Sequence, residues 1–287
     1  MICTHCHGEL LEGAKFCHHC GKEQFPEKVC GACNTSNPIE ALYCKNCGHP
    51  FTESLVDLPS LVDLFLDYFD REIREANGFF NKEKIHKSLS TSAFLEKVAA
   101  RFDALELKYS TLEDRQLYNR EIQQDFLGLL EYFLVYFCEG ILPYPLSKKI
   151  LKYEGMSQAL IQPMAYDYLN LENWSDEDIY LNPLDIPLKG IKKAASIFFK
   201  PQKNEAILFL LDQSLTGSFR EGVGLTERGI YWKSAMEPAQ AVPFSAIQTL
   251  ELEKNWLLIN GHYFNVNPSF NFYFMRFLKK VALYIEK

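Results

Sequence analysis

The chain has 287 residues, 23% of them charged, and a formal net charge of −7. That acid excess argues against wholesale binding to nucleic acid, whose non-specific affinity comes from lysine and arginine on phosphates. No stretch offers the about 20 predominantly apolar residues of a membrane span, and the opening "MICTHCHGELLEGAK" lacks the apolar core of a signal peptide. An intracellular, cytoplasmic chain with reduced thiols is expected.

Eight of the nine cysteines fall in the first 47 residues, as four C-x-x-C pairs: Cys3/Cys6, Cys17/Cys20, Cys30/Cys33 and Cys44/Cys47. Ten residues separate the two pairs of each set, and every cysteine of the first set has a counterpart 27 residues later. A C-x-x-C turn places two thiolates on one side, and two facing turns supply the tetrahedral shell that zinc accepts. The repeat extends to "AKFCHHCGK" (14–22) and "ALYCKNCGH" (41–49), with Phe16 or Tyr43 before the second turn and Gly21 or Gly48 after it. The glycine permits positive φ where the chain folds back toward its own sulfurs. The aromatic ring is expected over the metal site. An even cysteine count also suits a disulfide framework, and four sulfurs suit iron, but the reduced compartment and the short ten-residue loop favour zinc. His5, His7, His18 and His19 read as exposed turn residues, since four cysteines already close each shell.

This pattern resembles the double zinc ribbon family over residues 1–50, with all eight ligand positions matched. The resemblance implies two structural zinc ions, with no position left open for a hydrolytic water. Units of about 25 residues bury too little to fold alone, so metal binding is expected to supply most of their folding free energy.

Charge is divided along the chain. Residues 1–50 carry −1 with no arginine, residues 51–185 carry −11, and residues 186–287 carry +5. The arginine-free ribbons are therefore expected to bind protein ahead of DNA or RNA.

Residues 55–182 read as a helical domain. Leu58, Leu61, Val62, Phe65, Phe69 and Ile73 form an i, i+3, i+4 stripe, with Pro59 in the first turn and Gly78 as the stop. Phe94, Leu95, Val98, Phe102 and Leu105 form a second stripe, and a third helix runs toward Pro143. The apolar stretch 126–142 contains Glu131 and Glu139 and reads as a buried helix, with Cys138 as a small buried hydrophobe. Ser175, Asp176 and Glu177 read as a helix start and not as a catalytic acid cluster. No histidine lies between His86 and His262, and no nucleophile elbow, phosphate loop or dinucleotide fingerprint occurs.

Residues 186–287 open with a basic segment in which Lys189, Lys192, Lys193, Lys200 and Lys203 flank Ile191, Ile197, Phe198 and Phe199. An amphipathic helix of this kind either docks its apolar face on the protein or lies on an anionic membrane. Short β runs follow from Glu205, separated by turns at Gly217, Arg228-Gly229, Glu237-Pro238, Lys254-Asn255 and Gly261. After Pro268 a final helix is expected, with Phe272, Met275, Leu278, Ala282 and Ile285 on one side, across the mouth of a small barrel. Thr226, Arg228-Gly229, Ile230-Tyr231-Trp232 and the later Pro243, Phe244 and Ile247 resemble the bacterial pleckstrin-homology-like domains. That resemblance implies binding of a protein or lipid surface and no catalysis.

The expectation is a multidomain α+β chain: tandem ribbons, an all-α middle, and an antiparallel barrel with a C-terminal helix. Its expected work is non-enzymatic adaptor or regulatory binding of a protein partner. The rivals are nucleic-acid binding by the ribbons, with Lys15, Lys22, Lys28 and Lys45 on phosphates, and anionic lipid binding through residues 188–203 and the barrel.

Overall fold

The computed structural model describes residues 8, 17–21, 27–38, 41, 43–49, 51, 60–76, 79–110, 115–156, 159–174 and 179–285. The chain divides into two compact units, residues 1–64 with 102–122, and residues 65–101 with 123–287. Leu58, Pro59 and Gly78, and the helix start at Ser175, lie outside the described residues.

In the first unit, β1 (Glu27–Val29) and β2 (Ser36–Pro38) form an antiparallel hairpin with Val29 opposite Ser36. Three helices contribute their ends to this unit: α1 (Leu61–Glu75), α3 (Phe94–Ser110) and α4 (Arg115–Phe137). Ser60 starts α1. Its hydroxyl accepts the Asp63 N–H at 3.2 Å, and Asp63 Oδ2 takes back the Ser60 N–H and O–H. That reciprocal pair satisfies donors the first turn leaves open.

The second unit is built on aromatic packing. Phe65, Phe94, Phe126 and Phe133 are buried, with ring centroids 5.7 Å apart for Phe65–Phe126 and 4.9 Å for Phe94–Phe133. Between α1 and α3 lies α2 (Lys82–Thr91), which the sequence reading missed because only Ile85 and Leu89 are buried in an otherwise polar segment. Asn81 caps it, accepting the Lys84 N–H at 3.0 Å. After α4 come a 3-10 turn (Lys148–Tyr153) and α5 (Ile161–Tyr168). Among the described residues, no helix is long and apolar enough to cross a membrane.

Ten strands in all are described. β3 (Ile179–Tyr180), β4 (Ile207–Asp212), β5 (Gly222–Thr226), β6 (Gly229–Lys233) and β7 (Gln240–Pro243) form a five-stranded antiparallel sheet in that order. A second sheet runs β10-β9-β8, from β8 (Leu250–Glu253), β9 (Trp256–Ile259) and β10 (His262–Phe264). The expected barrel is not closed: no ladder joins the two sheets among the described residues. Pro243 lacks an N–H for a ladder, and the 3-10 turn Phe244–Ala246 follows it, so the chain leaves the first sheet there.

The basic segment forms α6 (Leu188–Ile197), which turns Gly190 and Ala194 inward against Leu210, Phe199 and Phe219. A Cβ on Gly190 would come within 2.5 Å of the Phe219 ring, so glycine is what allows this close approach. The helix thus docks its small and apolar face on its own unit.

The last helix, α7 (Pro268–Ala282), is capped by Asn267, whose Oδ1 accepts the Phe270 N–H at 2.9 Å. It is buried on nearly every side, and not along one stripe. Its charges are buried with it. Lys280 Nζ donates to Glu131 Oε2 at 3.0 Å, and the Tyr168 hydroxyl donates to Glu131 Oε1 at 2.7 Å. Both Lys280 and Glu131 are 1% exposed. Nearer the surface, Lys279 Nζ reaches Glu72 at 2.8 Å and Glu75 at 2.9 Å.

Candidate metal centre

The second cysteine set folds as two tight turns facing one another. In the first, the Cys30 N–H donates to the Thr35 carbonyl (2.9 Å) and the Asn34 N–H to the Cys30 carbonyl (2.8 Å). In the second, the Cys44 N–H donates to the His49 carbonyl (2.8 Å) and the Gly48 N–H to the Cys44 carbonyl (2.9 Å). Each turn needs a left-handed residue directly after its second cysteine. Asn34 at φ 57 and Gly48 at φ 69 supply it, both residue types that adopt this region at low cost.

The four sulfurs converge within 4.8 Å of one another. Cys30 and Cys47 stand 3.6 Å apart, Cys33 and Cys44 3.4 Å. A tetrahedral ion with metal–sulfur bonds of about 2.3 Å requires about 3.8 Å between sulfurs, so the donor set fits zinc with little adjustment. Cys30 and Cys44 are buried and Cys47 is exposed.

Hydrogen bonds orient the shell. The Asn46 N–H points at Cys44 Sγ (3.4 Å), and so does Asn37 Nδ2 (3.6 Å). Asn37 is fully buried and ties the turns together, donating to the Thr35 carbonyl at 2.6 Å and accepting the Lys45 N–H at 2.8 Å. Sequence reading missed it. The position 27 residues earlier is Leu10, so the repeat itself carries no signal there.

The thiols cannot all ionise without a cation. The Thr35 hydroxyl and backbone N–H hold Cys33 down to about 5. Burial pushes Cys44 up, but the backbone N–H groups of Cys47 and Asn46 outweigh it and leave it below its ordinary value. The His49 N–H draws Cys47 down, yet Cys33, burial, Cys30 and Cys44 together push it up to about 12. A bound dication would reverse that last effect and release the proton.

Of the first set, Cys17 and Cys20 are described, while Cys3 and Cys6, like His5 and His7, lie outside the described residues. The described turn repeats its later counterpart. The His19 N–H points at Cys17 Sγ (3.4 Å), the Gly21 N–H donates to the Cys17 carbonyl (2.8 Å), and Gly21 has φ 69. His18 and His19 are exposed, as expected of turn residues.

Two further expectations concern Tyr43 and Cys138. Tyr43 meets the ring of Tyr118 on α4, edge to face at 5.7 Å, so its aromatic packing reaches beyond the ribbon. Cys138 is fully buried and its thiol is pushed up to about 12 by burial, as suits a small apolar group.

Away from the metal ligands, Thr226 is fully buried at the β5–β6 turn and accepts the N–H groups of Arg228 (3.2 Å) and Gly229 (3.1 Å). Its hydroxyl donates to Glu205, at the floor of a cleft of about 310 Å³ lined also by Arg228, Tyr231 and Ser245. Glu205 accepts the Gln202 N–H (2.6 Å) and the Tyr231 hydroxyl (3.2 Å) as well, so its carboxylate is engaged within the fold.

No match to the chain was found among curated proteins or among solved structures. Residues 3–48 match the family model described as double zinc ribbon, so the N-terminal region is a zinc ribbon region with a four-cysteine cluster suited to zinc.

Proposed function

We propose that the protein is a non-enzymatic, zinc-dependent adaptor. The convergence of Cys30, Cys33, Cys44 and Cys47 carries this reading, because a shell closed by four sulfurs leaves no position for water or substrate. The repeated turn geometry at Cys17 supports a second ion held by Cys3, Cys6, Cys17 and Cys20. Both ions are structural, and each keeps a small recognition surface in shape. The strand order after residue 205 and the Thr226–Gly229 turn support a pleckstrin-homology-like domain as a second protein-binding surface. The expected partner is a protein met in the cytoplasm.

Lipid binding through residues 188–203 is the weaker reading, since α6 already spends Gly190 and Ala194 on its own unit. Nucleic-acid binding suffers from the arginine-free ribbons.

Elemental analysis should give two zinc ions per chain, and one in the Cys30→Ser, Cys33→Ser variant. Affinity capture with nuclease treatment should then yield a stoichiometric protein lost in that variant. Recovery of nuclease-sensitive material alone would sink the adaptor reading.

A further inference from the structure

We infer that the second ribbon works as a metal-dependent latch on the start of α4. This rests on the zinc reading above, and adds a consequence for residues far from the ligands in sequence. Tyr43 immediately precedes the ligand Cys44. The backbone there is fixed on both sides of the ligand: the Cys44 N–H is held by His49, the Cys44 carbonyl by Gly48, and the Lys45 N–H by buried Asn37. The position of the Tyr43 ring is therefore set by closure of the metal turn.

That ring packs against Tyr118, edge to face with an interplanar angle of 82°. Tyr118 is 8% exposed, and residues 102–122 share a compact unit with residues 1–64. The segment 115–122 reads "RQLYNREI", with Tyr118 and Ile122 buried among polar neighbours. A helix end with so little apolar surface draws its order from tertiary contact more than from its own propensity. Loss of the metal opens the turn, frees Tyr43 and lets these first two turns of α4 fray. The interior of the same helix, with Phe126, Leu130 and Phe133 nearly or fully buried, has its own support and stays ordered. Ligand thiols such as the exposed Cys47 make the latch sensitive to chelators and to thiol oxidation, both of which remove the ion. One flank of the ribbon is thus covered by the chain's own helix.

The test is amide hydrogen exchange by mass spectrometry on the full chain, with zinc content measured on each sample. Zinc-loaded protein, chelated protein, and zinc-loaded Tyr43→Ala and Tyr43→Phe variants are compared. Chelation and Tyr43→Ala should each speed exchange in 115–122 by about tenfold or more, with residues 126–135 unchanged. Tyr43→Phe keeps the ring and should keep the protection. The latch is overturned by a Tyr43→Ala protein that retains its zinc and shows unchanged exchange in 115–122, or by chelated protein that does. Failure of the zinc reading has a separate signature, absence of zinc from the wild-type chain, and it would overturn the latch with it.

Discussion

The four-cysteine cluster and the aromatic unit are built by opposite means. Around that cluster the fully buried side chains among the described residues are Cys30, Cys44 and Asn37, two sulfurs and an amide. In the larger unit, phenylalanines of α1, α3 and α4 interlock, and buried acids such as Glu72 and Glu131 are met by lysines. The first kind of structure is arranged to be tied by an ion. The second is conditional only on its own packing, and its weak points are the buried charges.

The largest expected effect separates the two directly. Metal removal should abolish the ribbon fold, since binding contributes roughly 10–16 kcal/mol in finger-sized units. Strands β3–β10 and α7 should survive it. Backbone amide spectra recorded before and after chelation check this, and collapse of the strand resonances along with the ribbon would erase the contrast.

Next in size is Glu131→Gln. The substitution removes the carboxylate that pairs Lys280, which is 1% exposed, and that lies 3.9 Å from Arg276. Uncompensated buried charge costs about 3–5 kcal/mol. Urea unfolding should show that loss while zinc content stays at the wild-type level. A loss below about 1 kcal/mol would mean that water reaches the site.

The smallest effect is a pH dependence. Burial pushes the Glu72 carboxyl up, but the Lys279 ammonium beside it, with Arg276 and Arg71, outweighs burial and holds it below its ordinary value. A folded pKa below the unfolded one contributes stability that is present above the unfolded value, about 4.3, and is lost as pH falls through the folded value. The melting temperature should therefore drop on the acid side of pH 4, by roughly 2–4 °C from this pair. Lys279→Met should remove that part of the acid limb, and an unaltered limb would assign the acid loss to other carboxylates.

What could be read before folding follows the same division. The cluster of Cys30, Cys33, Cys44 and Cys47 was legible because the spacing of the cysteines is itself the geometry: each C-x-x-C turn is local. Asn37 was not, because its role depends on two turns meeting across the ion. Glu131 could be read as evidence against a membrane span, but not as the partner of Lys280, since no local pattern links a mid-helix acid to a distant lysine. The strands after Glu205 were legible from short apolar runs and from the turns at Gly217, Arg228-Gly229 and Lys254-Asn255, whereas β3 was not: Ile179–Tyr180 lies in the stretch read as helical and becomes a strand by pairing with the distant β4. Closure of the barrel was expected and is not seen, because pairing between the sheets is a long-range choice, decided after Pro243 by an interrupted backbone.

The pairing of Glu131 with Lys280 also sets a timetable. The two residues are 149 apart in the chain, and Glu72 and Lys279 are 207 apart. At a synthesis rate of about 5–20 residues per second, Glu131 waits about 7–30 s for its partner on the ribosome. The second ribbon closes over only 17 residues from Cys30 to Cys47 and can capture its ion almost as soon as it emerges. During the wait, α4 carries Glu131 without Lys280, the cation that meets it in the folded chain. A chain in that interval is incompletely packed, a state that exposes it to aggregation.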